Sequence, residues 1–207
     1  MNDVQATEDS RRDPRAMELD RDLLSTPFSV QTRWHVLTGA ICCGKTTLID
    51  MLAEKGFRTL PEASREYIER EVAKGRTLEE LFGSAADERV LTKIQCDAEH
   101  RLSANEVTFL DRALPDYLWF WRLFGMNPNE LLAECFRYRY ASVFILDQLP
   151  LQLDGARIDD EVFTDLLDEW LTRDYGALGY CVVRVPVMPP EERLAFVIET
   201  LSEQRLL

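Results

Sequence analysis

Two glycines, a lysine and a threonine are spaced along one short run in a way that suits phosphate binding. Gly39 and Gly44 enclose four residues, and Lys45 and Thr46 follow the second glycine directly, which is the pattern G-x-x-x-x-G-K-[ST]. Such a loop points backbone N–H groups inward, and the helix after it adds the positive end of its dipole. We predict that Lys45 contacts the β- and γ-phosphates of ATP and that the Thr46 hydroxyl binds Mg²⁺, which prefers oxygen ligands. The predicted nucleotide-binding residues are Gly39, Ala40, Cys42, Cys43, Gly44, Lys45, Thr46 and Thr47.

An acidic residue follows an apolar stretch later in the chain. Residues 106–110 favour a β-strand, and Asp111 and Arg112 come directly after it. Open α/β sheets place their ligands at the carboxyl ends of the strands, and in proteins with a phosphate-binding loop an acid at such a position binds the metal. We therefore predict that Asp111 completes the magnesium site with Thr46, although aspartate after a strand is also a common turn or helix-capping residue.

A third group of candidates opens the helix after the second predicted strand. Pro61 and Glu62 suit the first turn of a helix, because the N–H groups there lack partners and the dipole favours acids. A helix start does not account for Arg65, which lies one turn later on the same face. Its planar fork of donors suits a carboxylate or a phosphate.

Strands and helices alternate from Trp34 onward, as they do in a parallel α/β sheet. These elements must position the candidate residues. Strands are predicted at 34–38, 57–60, 106–110, 142–147 and 180–185. Helices are predicted at 45–54, 62–73, 84–104, 114–124, 129–138, 159–173 and 190–204. The loop therefore lies between a strand and a helix, which is the order that its chemistry requires.

Residues 1–31 are predicted to be an N-terminal extension that is flexible or partly helical, with a short helix at 14–24. Residues 32–207 are predicted to form one domain of ordinary size. The extension has no chemistry of its own, and a protein partner could bind through it.

Net charge and cysteine content indicate which partners and which cellular compartment to expect. A formal net charge of −13 predicts no nonspecific binding to nucleic acid or to an anionic membrane, because both need a basic surface. The five cysteines are an odd number without a paired framework, which is typical of reduced thiols in the cytoplasm. No apolar run approaches the ~20 residues of a membrane span. The sequence thus predicts a cytoplasmic protein without nucleic-acid or membrane partners.

These segments together resemble the P-loop ATPases of the AAA_28 type, which are similar to the nicotinamide riboside kinase domain of bacterial NAD regulators. The resemblance covers about residues 34–204, through the segments 39–47, 61–66, 109–116, 154–157, 179–187 and 191–193. It implies a three-layer P-loop NTPase fold of the nucleotide-kinase kind, with a parallel five-stranded sheet and a helical lid. It also implies that an acceptor binds near Glu62, Arg65, Asp111, Arg112 and Asp116. Arg157 would belong to the lid, and the polar stretch around it suits closure over phosphates.

Two functions remain open at this point. The first is a small-molecule kinase that transfers the γ-phosphate of ATP to a nucleoside-like acceptor, with the candidate catalytic residues Lys45, Glu62, Asp111, Arg112 and Arg157. In this reading Glu62 or Asp111 orients the acceptor hydroxyl, and Arg112 or Arg157 balances the transition-state charge. The second is a regulatory ATPase that acts as a nucleotide-dependent switch on a protein partner. The unassigned extension and the lack of a full acceptor signature favour the second.

Overall fold

The computed structural model describes residues 18–149 and 161–207, without the side chains of 161–163. The strands are β1 (Val30–Gln31), β2 (Trp34–Thr38), β3 (Arg58–Leu60), β4 (Thr108–Asp111), β5 (Tyr138–Arg139), β6 (Ser142–Leu146) and β7 (Val182–Val185). The α-helices are α1 (Lys45–Glu54), α2 (Arg65–Ala73), α3 (Leu78–Phe82), α4 (Ala85–His100), α5 (Tyr117–Leu123), α6 (Asn129–Cys135), α7 (Glu161–Ala177) and α8 (Pro190–Glu203). Short 3-10 helices lie at Leu23–Ser25 and Leu114–Asp116.

Five strands form one parallel sheet in the order β3, β4, β2, β6, β7. Val36 of the central strand β2 lies opposite Leu110 of β4 and Val143 of β6. Every residue of β2, β4 and β6 is buried, as expected for a parallel sheet that helices cover on both faces. The parallel five-stranded α/β sheet predicted from the sequence is confirmed.

Helices pack on both faces of this sheet and give three layers. Successive side chains of a strand point to opposite faces, so Val36 joins the core that packs against α4, α5, α6 and α7. Leu37, the next residue, joins the core formed with α1 and α8. The first core carries the four large rings of Trp34, Trp119, Trp121 and Trp170. The two cores hold the sheet rigidly, so that its carboxyl edge can position a site.

Several helix ends differ from the predictions. The helix predicted at 84–104 ends at His100, and the helix predicted at 129–138 ends at Cys135 because Tyr138 and Arg139 form β5 instead. The additional helix α3 has a capping box, in which the Thr77 hydroxyl accepts from the Glu80 N–H and the Glu80 carboxylate accepts from the Thr77 N–H. This pair was visible in the sequence as T-x-x-E, a typical helix-start signal.

The described part of the predicted extension packs against the remainder of the chain. Strands β1 and β5 pair in parallel as a small sheet apart from the main one. The Phe28 ring lies 5.0 Å from the Phe136 ring between centroids and 5.6 Å from the Tyr180 ring. Residues 18–31 thus lie against α6 and β5 through a strand pair and aromatic contacts.

Part of the helix predicted at 14–24 lies outside the described residues. Its described part contains only the beginning of the 3-10 helix Leu23–Ser25. Among the helices that the structure describes, none combines the length and the apolar character needed to cross a bilayer.

Candidate active site

The loop and the predicted acids lie at the carboxyl ends of three neighbouring strands. The loop connects β2 to α1, Asp111 ends β4, and Glu62 follows β3. Because β4 pairs with both β2 and β3, these residues meet at one edge of the sheet, with Leu37 of β2 opposite Asp111. Ligands of doubly wound sheets bind at such an edge. A cavity of about 970 Å³ lies there.

Both glycines of the loop have conformations that L side chains rarely adopt. Gly39 has φ 141° and Gly44 has φ 90°. A Cβ at Gly39 would lie 2.8 Å from the Leu146 carbonyl oxygen, so any side chain would force the loop away from β6. Gly44 precedes α1 without a capping side chain, which leaves the start of α1 available to an anion. The loop therefore fits a phosphate group.

Lys45 is folded into the loop. Its Nζ donates to the carbonyl oxygens of Gly39 (3.0 Å) and Ala40 (2.6 Å) and to Cys43 Sγ (3.4 Å). The residue is only 7% exposed, and burial, followed by the charge of Arg112, lowers its pKa. The ammonium group thus stabilises the loop through its own carbonyls, at the edge of the cavity where phosphates would lie.

Thr46 and Asp111, the two residues predicted to bind magnesium, are in direct contact. Thr46 Oγ1 donates to Asp111 Oδ2 over 3.1 Å, and Asp111 is 2% exposed. Burial raises the pKa of Asp111, while the nearby charges of Lys45 and Arg112 act in the opposite direction. A hydroxyl and a carboxylate side by side are the hard oxygen donors that Mg²⁺ prefers. This donor set fits a magnesium ion.

Arg193 of α8 holds the loop from behind, a role that the sequence analysis did not find. Its guanidinium donates to the carbonyl oxygens of Cys43 (2.5 Å), Pro186 (3.0 Å) and Asp147 (3.0 Å). The side chain is buried, with 3% of the residue exposed. Arg193 therefore ties the loop to α8 and to the ends of β6 and β7. A single arginine on an amphipathic helix gives no local signal of this contact.

Arg112 lies between the loop, Asp116 and Glu62. It has φ 69°, and its Nη1 lies 3.4 Å from the Gly39 carbonyl oxygen and 3.4 Å from Asp116 Oδ2. Its Nε lies 4.0 Å from Glu62 Oε1. The structure thus brings the predicted residues Glu62, Asp111 and Arg112 together, and all three line the cavity.

Asp116 lies behind the cavity and is not among the residues that line it. It is fully buried, and its carboxylate accepts hydrogen bonds from Thr38 Oγ1 (2.5 Å) and Tyr175 OH (2.6 Å) in addition to Arg112. Both oxygens are therefore occupied by the protein. This placement does not support the prediction that Asp116 binds an acceptor, and it makes Asp116 a positioning residue for Arg112.

The remaining predicted residues also divide into those that line the cavity and those that do not. Arg65 is exposed at the start of α2 and lines the cavity, with Nη2 at 3.5 Å from Thr46 Oγ1. Cys42, Gly44 and Thr47 line it as well, whereas Gly39, Ala40 and Cys43 do not. Arg157 and the stretch 151–160 predicted as a lid lie outside the described residues.

The far side of the cavity is apolar and carries a second buried acid. Its lining includes the side chains of Ile68, Leu78, Phe82, Leu91, Tyr117, Phe120, Leu123 and Phe124. Glu88 of α4 lies among them and is 4% exposed. Its burial was foreseeable, because Glu88, Leu91, Thr92 and Gln95 follow helical spacing and are all buried.

A separate group of candidate metal ligands lies elsewhere on α4. Cys96 Sγ lies 3.5 Å from His100 Nε2 and 3.8 Å from Glu134 Oε2, and the last two atoms are 3.5 Å apart. These three side chains contact one another and do not line the cavity. This cluster therefore lies apart from the cavity beside the loop.

The loop, the acid beside it and the parallel sheet define a protein of the P-loop class. More specifically, the chain belongs to the AAA_28 family, described as an AAA domain, whose family model matches residues 34–193. This confirms the family predicted from the sequence. A sequence comparison with curated proteins gives no match.

Several solved structures have related folds. A NadR protein in complex with NR is 23% identical with a TM-score of 0.63, over 98% of this chain and 59% of that chain. A NadR protein in complex with NAD and AMP-PNP is 22% identical with a TM-score of 0.60, over 85% of this chain and 49% of that one. The YorR protein from Bacillus subtilis, in complex with phosphorylated GDP, is 12% identical with a TM-score of 0.51, over 83% and 97%. The chain thus spans only about half to three fifths of the NadR chains, and the likeness is one of fold.

Proposed function

We propose that this chain is an ATP-dependent small-molecule kinase that transfers the γ-phosphate of ATP to a nucleoside-like acceptor. The observation that carries this proposal is the division of the cavity into two ends. One end is formed by the loop, Thr46 and Asp111, and the other by aromatic and aliphatic side chains. ATP hydrolysis alone needs only the first end. An apolar end with a few polar groups is the usual composition of a small-molecule site.

At the phosphate end, the residues supply positive charge and oxygen ligands. Thr46 and Asp111 would hold Mg²⁺, which neutralises phosphate charge when it is bound. Lys45 exchanges a loop carbonyl for a phosphate oxygen, since each of its three donors already has a partner in the loop. Arg112 is held by Asp116, so it is fixed in place to balance charge on the transferred group.

Glu62 is the residue that we assign to the acceptor hydroxyl. In the transfer step, the hydroxyl oxygen forms a bond to the γ-phosphorus while the bond from that phosphorus to the bridging oxygen breaks and ADP leaves. The hydroxyl proton passes to the Glu62 carboxylate. Glu62 is 4.0 Å from Arg112 and partly exposed to the cavity, which supports this assignment because the acid remains accessible to a second substrate.

The test of the proposal is the dependence of ADP formation on an acceptor. Purified protein is incubated with ATP and Mg²⁺, alone and with a panel of nucleosides, sugars and vitamins. We expect at least one nucleoside-like compound to raise ADP formation more than about tenfold over hydrolysis alone, because water is positioned less well than a bound hydroxyl. Equal rates with and without every acceptor would instead favour a regulatory ATPase that acts on a protein partner.

Glu62→Gln sharpens this test. We expect the variant to lower the acceptor-dependent rate by about 10²-fold, the usual range for loss of a general base, while the affinity for ATP changes little. Glu66→Gln on the same helix is the matched control, since Glu66 is exposed and outside the cavity. Unchanged acceptor-dependent turnover in Glu62→Gln would remove Glu62 from this role.

A further inference from the structure

One carboxyl group of the cavity has an oxygen without a hydrogen-bond partner. Glu88 Oε1 is buried, and no described residue donates to it. Of the other acids that line the cavity, Asp111 accepts from Thr46, Glu62 lies beside Arg112, and Glu69 is exposed to solvent. A buried polar atom without a partner is costly and is rare in native structures.

Another buried acid on the same helix has all its hydrogen-bond partners within the protein. Glu99 accepts hydrogen bonds from Gln95 Nε2 (2.9 Å), the Leu114 N–H (2.8 Å) and Tyr140 OH (2.8 Å). Glu99 does not line the cavity. The acid of α4 that faces away from the cavity is therefore fully bonded, whereas Glu88, which faces it, is not. The difference points to a partner that comes from outside the chain.

The surroundings of Glu88 restrict what that partner can be. Leu91, Tyr117 and Phe120 also line the cavity, and aromatic side chains favour a flat ring packed against them. Burial raises the pKa of Glu88 to about 8, and Arg112 is the charged group that opposes this. The further ionisable residues of the cavity are Lys45, Glu62, Arg65, Glu69, Asp111 and Tyr117. At neutral pH the carboxyl group is therefore mostly protonated, and its carbonyl oxygen is the atom that can accept a hydrogen bond in this apolar setting.

We propose that Glu88 is a specificity-determining residue, whose free carboxyl oxygen accepts a hydrogen bond from an N–H group on a flat acceptor ring. This inference rests on the proposed kinase function and names the class of acceptor: a planar nitrogen heterocycle with an N–H group at the edge that enters the apolar end. The ring packs against Tyr117 and Phe120, and the hydroxyl that receives the phosphate lies toward Glu62. A ring without the N–H group leaves Glu88 Oε1 unpaired and binds more weakly.

Two variants of Glu88 and one control variant test whether Glu88 acts through its acceptor oxygen. Glu88→Met has similar length but no acceptor, and Glu88→Gln keeps one acceptor oxygen at the same distance from the backbone. Glu66→Gln removes a carboxylate from an exposed position of α2 outside the cavity, so it controls for the loss of one acidic side chain. Each variant is first checked for folding by its melting temperature and for an intact phosphate end by its affinity for an ATP analogue.

The experiment measures kcat and KM for nucleosides that differ only in a ring amino group, with adenosine against purine riboside and cytidine against its 4-desamino analogue. We expect the parent protein to prefer the amino compound of the active pair by at least about tenfold in kcat/KM. Glu88→Met should lose that preference through KM, Glu88→Gln should keep most of it, and Glu66→Gln should match the parent.

The outcomes distinguish this inference from the proposed function. If no compound stimulates turnover, the kinase function itself fails. If transfer occurs but Glu88→Met weakens both members of a pair equally or neither, or if the active acceptors lack a ring N–H group, the kinase function stands and the role of Glu88 is overturned. Equal loss in Glu88→Gln and Glu88→Met also overturns it, because a neutral amide would then fail as an acceptor.

Discussion

The two ends of the cavity differ in how their polar groups are satisfied. At the phosphate end Lys45 is bonded to loop carbonyls, Thr46 to Asp111, and Arg193 to the Cys43 carbonyl. At the apolar end Glu88 Oε1 has no partner among the described residues. The first end is organised by contacts within the protein, and under the proposed function the second would be completed by a ligand. Phosphate recognition would then be built into the loop, while acceptor choice would depend on a few side chains.

The largest expected effect comes from the lysine of the loop. Lys45→Ala should reduce ATP turnover by about 10³-fold, because phosphoryl transfer depends on fixed positive charge against the phosphates. We expect the melting temperature to fall by only a few degrees, since little apolar area is lost. Lys55→Ala, at the exposed end of the same helix, is the control. Near-normal turnover in folded Lys45→Ala would contradict the assignment of the phosphate end.

A smaller effect is expected from the acid of the metal pair. Asp111→Asn should lower magnesium-dependent turnover by about 10²-fold and raise the Mg²⁺ concentration needed for half-maximal rate, since an amide is a weaker ligand than a carboxylate. Nucleotide affinity measured without Mg²⁺ should change less than twofold. Asp97→Asn, in an exposed pair with Lys93, provides the comparison. An equal loss of binding and turnover would mean that Asp111 acts through the loop instead of the metal.

Arg193→Ala tests whether the phosphate end is preorganised from behind. The substitution leaves the carbonyls of Cys43, Pro186 and Asp147 without their shared donor, a cost of about 1–3 kcal/mol for buried groups. We expect nucleotide affinity to fall by about tenfold and the melting temperature to fall by about 5 °C. Calorimetry of binding and of unfolding measures both. An unchanged affinity for nucleotide would show that the loop holds its shape without α8.

At the apolar end we expect a substitution to raise stability instead of lowering it. Because the folded pKa of Glu88 is raised from 4.5 to about 8, the unfolded chain releases this proton first as the pH rises, so the parent loses stability between about pH 4.5 and pH 8. Glu88→Met lacks this penalty. Its melting temperature should exceed that of the parent, by about 10 °C more at pH 8 than at pH 5. A pH-independent difference would show that Glu88 is already paired in the folded protein.

The difference between the two ends of the cavity also explains which features the sequence could predict. The loop, Asp111 and the sheet follow from local patterns, because a P-loop needs a strand before it and a helix after it. The resemblance implied that an acceptor binds near Asp116, whereas the 3-10 helix Leu114–Asp116 turns its carboxylate toward Thr38 and Tyr175, and the residue does not line the cavity. The roles of Arg193 and Glu88 depend on contacts between distant elements, and only the helical spacing around Glu88 hinted at its burial.

The central claim is that one cavity holds a nucleotide at one end and an acceptor at the other. The most direct measurement follows the labelled γ-phosphate of ATP in the presence of the acceptor that most raises ADP formation. The account predicts that label appears on the acceptor at close to one equivalent per ADP formed, and that Glu62→Gln lowers this transfer. Release of the label as free phosphate, at a rate that no acceptor changes, would contradict it.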